Sequence, residues 1–309
     1  MLRQSSIERH PKRPPTIALA LGGGGARGLA HILVLEVLDE LGLKPTVIAG
    51  TSIGALVGAA YATGMPAYRL RAIMEEALGN RVDLVRQVFA ARSEPAQRVL
   101  RFLPWRTSLL APEALLSRLV PELDAWTFDR LQIPLKVVAT DMAAHETVIF
   151  EEGQVRRAVA ASIAIPLVFT PVMDRGRVLV DGGLVNPLPF DLIEGAADIT
   201  IAVDVSGASK PAALGSHPPA LDVLVRSIQI MEKSITHQKL ASRRPDLYLD
   251  IELDTFNALE FWRAREILEA AAPIKAAFRR QLTRLVEAHP MDLDARIEQP
   301  ALPAKSERE

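Results

Sequence analysis

The stretch GTSIG at residues 50–54 puts a serine where it can act as a nucleophile. The spacing G-x-S-x-G is typical of a nucleophile elbow, in which a serine sits on a sharp turn between a strand and a helix. Small residues at Gly50 and Gly54 let this strained turn avoid clashes with the neighbouring strand and helix. Because an apolar strand pattern precedes Ser52 and a small-residue helix pattern follows it, we predict that Ser52 is a nucleophile.

A glycine-rich segment, GGGGARG at residues 22–28, follows one predicted strand and opens a predicted helix. Consecutive glycines allow several backbone N–H groups to point at one spot, where the helix N-terminus adds positive potential. Such a spot suits the oxyanion of a tetrahedral intermediate. We therefore predict an oxyanion hole at this loop, where Arg27 adds charge or locks the loop through hydrogen bonds.

The same glycines permit a second interpretation, as a nucleotide site. Gly23, Gly25 and Gly28 fit the pattern G-x-G-x-x-G, which places dinucleotide phosphates at the start of a helix. However, the next strand ends in Gly-Thr-Ser and offers no acid to hold a ribose, and no G-K-[ST] follows the glycines. A nucleotide-binding or regulatory protein stays as the alternative from another class of function.

A serine hydroxyl needs a group that takes its proton, and the six histidines offer no clear base. His31 lies early in the helix after the glycines and His145 follows a strand, but a lone histidine on a helix is more often a packing residue. Asp181 differs, because VLVDGG places its carboxylate just beyond a buried strand and before two glycines that allow a sharp turn. The residues alone thus leave open a histidine-dependent serine hydrolase and an aspartate base.

The elements that must position these residues alternate between strands and helices. The chain begins strand, helix, strand, helix, which predicts a parallel sheet with right-handed crossovers. The glycine loop and Ser52 then meet at the sheet edge where ligands bind in open α/β folds. Strands are predicted at residues 16–22, 46–50, 133–141, 145–153, 177–183, 198–206 and 246–253, and further helices at 155–166, 220–241 and 260–288.

Residues 66–130 interrupt this alternation with helical patterns and an arginine-rich stretch around 86–106. We expect a helical insertion after the second helix that covers one end of the sheet, with ordinary α/β packing as the alternative. Apolar side chains among the arginines resemble an interfacial element that contacts a membrane. These side chains are Phe89, Phe102, Leu103 and Trp105.

Composition restricts the classes of function. Of 309 residues, 49% are hydrophobic and 5% aromatic, which suits an α/β protein whose central strands are buried on both faces. A net charge of −1 gives no overall field for nucleic acid, and the lack of cysteine excludes disulfides and thiolate sites and fits a reducing compartment. Residues 45–68 carry no charge, but prolines and glycines divide them into a strand, a turn and a helix rather than a membrane span.

GGGGARG, GTSIG and the DGG at residues 181–183, in this order and spacing, resemble the motifs of the patatin-like phospholipase family. ATD at residues 139–141, and ASIAIPLVFTPV ahead of DGGLVNPLP, also resemble family segments. The resemblance covers residues 16–251 and is to the short bacterial members of the family. It implies a three-layer α/β sandwich, a mostly parallel central sheet with helices on both faces.

The resemblance also implies a Ser–Asp dyad, with Ser52 as nucleophile and Asp181 as base. It implies a serine lipid acyl hydrolase, a phospholipase or esterase that cleaves carboxylic esters of lipids through an acyl-enzyme, with no cofactor and no metal. The residues that match the oxyanion-hole loop of the family are Gly23, Gly24, Gly25 and Arg27.

We expect a flexible basic arm over residues 1–15, a hydrolase domain over 16–290 and a flexible tail over 291–309. The expected partner is a lipid ester at a membrane or micelle surface, with no nucleic acid, and the oligomeric state is left open. We expect a cytoplasmic location, with peripheral membrane contact as an option.

Overall fold

The computed structural model describes residues 15–78, 110–207 and 220–289. The predicted tail, the predicted arm apart from residue 15, and the apolar side chains Phe89, Phe102, Leu103 and Trp105 lie outside the described residues.

Within the described residues, eight strands form one sheet, in the order β5-β6-β3-β2-β1-β7-β8, and β4 also pairs with β3. The strands are β1 Ile17–Leu21, β2 Val47–Thr51, β3 Leu135–Asp141, β4 Glu146–Phe150, β5 Val172–Asp174, β6 Arg177–Asp181, β7 Ile199–Asp204 and β8 Leu247–Asp250. The five strands from β3 to β8 along this order are parallel, which confirms the predicted mostly parallel sheet. At the β3 side of the sheet, β4 and β6 pair antiparallel with β3, and β5 pairs antiparallel with β6. The sequence did not indicate these antiparallel pairings.

The helices of the described residues account for most of the predicted helical patterns. They are α1 His31–Glu40, α2 Ile53–Ala62, α3 Ala67–Leu78, α4 Pro112–Leu119, α5 Val155–Ser162, α6 Ala220–Ser242, α7 Ala264–Ala271 and α8 Ile274–Ala288. The single helix predicted over 260–288 is wrong, because α8 begins anew after Pro273, whose missing N–H cannot continue a helix. None of these helices combines the length and apolarity needed to cross a bilayer.

The two faces of the sheet are covered differently. Alternate residues of β1 point to opposite faces, so Leu19 joins a large apolar cluster with α1, α2 and α5, and Ala18 and Ala20 join a smaller one. The smaller cluster holds Phe190, which follows β6, and is flanked by Leu240 of α6. Helices therefore lie on both faces, as predicted, but a loop shares the second face with α6.

The described part of the predicted insertion at 66–130 is helical. α3 packs on α1, with Leu70 and Met74 fully buried, and α4 packs on α5. These contacts belong to the helical layer of the sandwich, and the idea that the insertion caps one end of the sheet stays a prediction.

The start of α2 approaches β1 so closely that it requires glycine. A Cβ placed on Gly54 would stand 2.2 Å from the backbone oxygen of Leu21, which belongs to a central strand and cannot move aside. A Cβ on Gly58, one turn later, would stand 3.0 Å from the side-chain carbon Cγ2 of Ile48, which can adjust.

We expect Gly54→Ala to lower the free energy of unfolding by about 3 kcal/mol or more, since the new methyl group must push two backbones apart. Gly58→Ala makes the same chemical change in the same helix, and should change stability by no more than about 1 kcal/mol, because alanine favours the helix. Urea unfolding of both variants measures the difference, and equal stabilities would contradict the close approach.

Candidate active site

Strand β3 brings the ends of β2 and β6 together. The last residue of β2, Thr51, pairs in parallel with Val138, and the last residue of β6, Asp181, pairs antiparallel with the next position, Ala139. Because β4 occupies the opposite edge of β3 along this stretch, β2 and β6 lie end to end on one edge. The chain after β2 therefore turns directly beside Asp181, and the first residue of that turn is Ser52.

Ser52 has the strained backbone of a nucleophile elbow. Its φ of 55° and ψ of −125° fall where non-glycine residues are rare. Its backbone N–H donates to Ser162 Oγ at 2.8 Å, and its own Oγ donates to Asp181 Oδ2 at 2.7 Å. The strained turn therefore aims the hydroxyl at a carboxylate and away from solvent, since Ser52 is only 6% exposed.

Asp181 is held in place through both its side chain and its backbone. Oδ1 accepts the backbone N–H of Gly183 at 2.8 Å, and the Asp181 carbonyl accepts Thr140 Oγ1 at 2.7 Å. Burial raises the pKa of Asp181 from its usual value to about 6, although the hydrogen bonds from Ser52 and Gly183 act in the opposite direction. A carboxylate with this pKa is a better base than an exposed aspartate and is still ionised at neutral pH.

The glycine loop lies beside this pair. β1 ends at Leu21, which pairs with Gly50, so the segments after β1 and β2 leave the sheet side by side. Gly25 has a φ of 61°, and a Cβ there would stand 2.1 Å from the Ala258 oxygen, so this turn needs glycine.

Two of the three glycines predicted for the oxyanion hole keep their N–H groups available. The Gly23 N–H donates to the Pro187 carbonyl at 2.9 Å, so in this conformation it is engaged and does not face an oxyanion. Gly24 and Gly25 line the cavity over Ser52, and within the described residues their N–H groups have no acceptor. The geometry thus reduces the candidate donors to Gly24 and Gly25.

Arg27 lies behind the loop rather than in the cavity. It is buried, and its Nε donates to the Gly24 carbonyl at 3.3 Å. Burial lowers its pKa, while the acidic side chains of Glu232, Asp204 and Asp254 act to raise it. Of the two roles predicted for Arg27, this geometry favours locking the loop over direct contact with a substrate.

The histidine candidates for the base do not bond Ser52. His31 is fully buried and donates through Nε2 to the Gly22 carbonyl at 2.8 Å, and burial lowers its pKa to about 4. It is a neutral support of the glycine loop. His145 lies in the turn between β3 and β4, exposed to solvent, where its backbone N–H donates to Asp141. The partner of the Ser52 hydroxyl is the aspartate.

Sequence reasoning missed Ser162 and the role of α6. Ser162, at the end of α5, is fully buried, and its hydroxyl holds the Ser52 N–H. Lys239 of α6 donates to Asn186 Oδ1 at 2.6 Å and to the Leu188 carbonyl at 2.9 Å, while Thr51 Oγ1 donates to the Asn186 carbonyl. The only sequence signal was that Ser162 and Asn186 fall in segments that resemble the family.

A cavity of about 30 Å³ opens over Ser52 and Asp181. This volume holds a water or two, so the described conformation accommodates the reacting groups and not a long chain. Within the described ranges, no three His, Asp or Glu side chains are arranged to hold a metal ion. The wall of the cavity is mostly apolar and includes Ile165, Pro166, Leu184, Val225 and Ile228.

The model of the Patatin-like phospholipase family matches residues 19–193, which span both Ser52 and Asp181. The chain belongs to the patatin-like phospholipase family. This patatin-like chain is 39% identical over 210 residues to an uncharacterised NTE family protein of Mycobacterium bovis, covering 66% of this chain and 53% of that one. It is 34% identical over 193 residues to the human patatin-like phospholipase domain-containing protein 6, covering 62% of this chain and 13% of that one.

Among solved structures, this patatin-like chain is similar to VipD from Legionella pneumophila. The TM-score is 0.46 and the sequence identity 15%, over 90% of this chain and 67% of that one. This chain spans about half the length of the mycobacterial relative that it matches.

We expect Ser162→Ala to slow the reaction of Ser52 with a fluorophosphonate by about 10- to 100-fold. The substitution leaves the buried Ser52 N–H without an acceptor, which costs about 1–3 kcal/mol and loosens the elbow. Ser242→Ala removes a hydroxyl from the exposed end of α6 and should leave the rate unchanged. Labelling kinetics measure the effect, and a wild-type rate in Ser162→Ala would show that the elbow does not depend on this hydrogen bond.

Proposed function

We propose that this chain is a serine lipid acyl hydrolase, a phospholipase or esterase that cleaves carboxylic esters of lipids. The observation that carries the proposal is the 2.7 Å hydrogen bond from Ser52 Oγ to Asp181 Oδ2 beside two available backbone N–H groups. Membership of a family of phospholipases supports the same class of reaction. Since the chain spans about half of its mycobacterial relative, the activity and substrate of the whole protein are part of the proposal.

In the first step, Asp181 takes the proton from Ser52 as Oγ attacks the ester carbonyl carbon. The negative charge that develops on the carbonyl oxygen is stabilised by the N–H groups of Gly24 and Gly25, which the buried loop holds in place. Asp181 then passes its proton to the leaving alcohol, and an ester between the acyl group and Ser52 remains.

In the second step, Asp181 takes a proton from water, and the resulting hydroxide attacks the acyl-enzyme at the same carbonyl carbon. The intermediate collapses, Ser52 recovers its proton from Asp181, and a carboxylic acid leaves. The raised pKa of Asp181 suits both directions of this proton transfer, because it lies closer to neutral pH than that of a free aspartate.

We propose a lipid ester at a membrane or micelle surface as the substrate, in a cytoplasmic setting. Exposed apolar side chains on the two segments that contribute to the cavity wall support contact with such a surface. Leu167 follows the wall residue Pro166 and is 51% exposed, and on α6 Ile230 is 71% exposed. The surface would present the ester within reach of the cavity, and opening of the apolar wall would admit the acyl chain.

The nucleotide-binding alternative has less support. Gly24 and Gly25 of the glycine loop line the cavity that holds Ser52, where the buried carboxylate of Asp181 would repel a phosphate. A histidine-dependent hydrolase also has little support, since His31 bonds the Gly22 carbonyl and Ser52 bonds Asp181.

The test is labelling with a fluorescent fluorophosphonate beside turnover of a p-nitrophenyl ester and a phospholipid in micelles. We expect Ser52→Ala to lose labelling completely, and Asp181→Asn to lower ester turnover by about 10³- to 10⁴-fold, because the amide cannot accept the Ser52 proton. Both variants should remain folded by circular dichroism.

Two substitutions of the same kind on the surface serve as controls. Ser242→Ala and Asp129→Asn change exposed residues away from the cavity and should behave like the wild type. Turnover in Asp181→Asn equal to that of the wild type would rule out the dyad, and a folded wild type that neither labels nor hydrolyses any ester would rule out the proposed function.

A further inference from the structure

A second carboxyl group, Glu232 of α6, lies in the wall of the cavity beside Asp181. Its Oε1 is 2.1 Å from the point where a Cβ on Gly183 would stand, and Asp181 Oδ1 is 3.1 Å from the same point. The Glu232 side chain therefore contacts the Cα of Gly183, the residue whose N–H donates a hydrogen bond to Asp181. The mechanism proposed above gives this side chain no role.

The charges around Glu232 are unbalanced. Asp181 at the end of β6 and Asp204 at the end of β7 face it with negative charge, and Arg27 behind the glycine loop faces it with positive charge. Among the described residues, no cation lies within ion-pair distance of Glu232. The cations of its own helix are engaged elsewhere, Lys233 with Asp204 and Asp250, and Arg226 with Asn257.

Asp181 is buried and Glu232 is partly buried, and both carboxyl groups lie against Gly183. Two carboxyl groups in one site hold one proton more readily than none, because a second negative charge there costs energy. Asp181 receives hydrogen bonds from Ser52 and Gly183, which favour its charged form, so the proton resides on Glu232. Burial, and then the charge of Asp181, raise the pKa of Glu232 to about 8. At neutral pH the pair carries a single negative charge, on Asp181.

We propose that Glu232 is a positioning residue of the hydrolytic site, which keeps Asp181 and its Gly183 contact in place and must be uncharged for Ser52 to react. The inference rests on the proposed function. An ionised Glu232 would add a second negative charge next to Asp181, and the oxyanion would have to form close to both charges. The protonated side chain adds no such charge and still packs on Gly183.

The consequence is a bell-shaped pH profile of kcat/KM. On the acid side, activity falls as Asp181 becomes protonated, with an apparent pKa of about 6. On the alkaline side, activity falls as Glu232 loses its proton, with an apparent pKa of about 8. The two apparent values belong to the coupled pair, and only the alkaline one requires Glu232.

The experiment is the pH profile of kcat/KM for a p-nitrophenyl ester between pH 5 and pH 9.5, with Ser52→Ala as the background. Glu232→Gln should keep the acid limb and lose the alkaline one. The ratio of kcat/KM in the variant to kcat/KM in the wild type should therefore be about tenfold higher at pH 9 than at pH 7. Glu232→Asp keeps an ionisable group and should retain an alkaline limb. Glu269→Gln, the same change at an exposed site on α7, should retain both limbs.

Three results would overturn the inference. They are a wild-type profile without an alkaline limb, a limb that stays in place in Glu232→Gln, and a folded Glu232→Gln as inactive as Ser52→Ala at every pH. If Glu232→Gln does not fold, Glu232→Met supplies a second uncharged side chain of similar length. A wild type without Ser52-dependent hydrolysis at any pH would instead refute the proposed function, so the two failures are distinguishable.

Discussion

The hydrogen bond between Ser52 and Asp181 depends on how β2 and β6 meet along β3. Thr51 and Asp181 pair with consecutive residues on one edge of β3. Thr51 belongs to a strand parallel to β3, and Asp181 belongs to an antiparallel strand. A shift of one residue in the pairing of β6 with β3 would turn the Asp181 side chain to the other face of the sheet, and the same shift of β2 would do this to the end of β2. The close contact at Gly54, the hydroxyl of Ser162 and the N–H of Gly183 each restrict this arrangement further.

The rest of the site is built by elements that pack around this pair. β1 runs beside β2 and delivers the glycine loop, which Arg27 and His31 support through the carbonyls of Gly24 and Gly22. α6 lies on the other side of the cavity, where Lys239 hydrogen-bonds to the segment after Asp181 and Glu232 forms part of the cavity wall. The consequence is a carboxylate, that of Asp181, which is buried and is hydrogen-bonded to Ser52 and to the N–H of Gly183.

The sequence predicted the parts of this site that depend on local pattern. The strand–turn–helix pattern around Ser52, the glycines at 22–25 and the Asp-Gly-Gly turn are short-range signals, and each residue type is required by its own backbone. The reversed direction of β6 and the short strand β5 depend on long-range pairing, which periodicity does not report. Ser162, Lys239 and Glu232 were missed for the same reason. They lie on helices, and the hydrophobic periodicity of a helix indicates which residues are buried but not which distant residues they contact. The engagement of the Gly23 N–H by Pro187 likewise requires knowledge of which segment packs on the loop.

The most direct test of the Ser52–Asp181 dyad is to find which residue carries an acyl group during turnover. Wild-type protein hydrolysing a p-nitrophenyl ester would be quenched rapidly with acid, and its intact mass and peptides would be measured by mass spectrometry. The proposed mechanism predicts an acyl adduct on the peptide that contains Ser52, and no adduct in Ser52→Ala. Turnover with the acyl group on another residue, or with an adduct that survives in Ser52→Ala, would contradict the proposal that Ser52 and Asp181 act as the dyad.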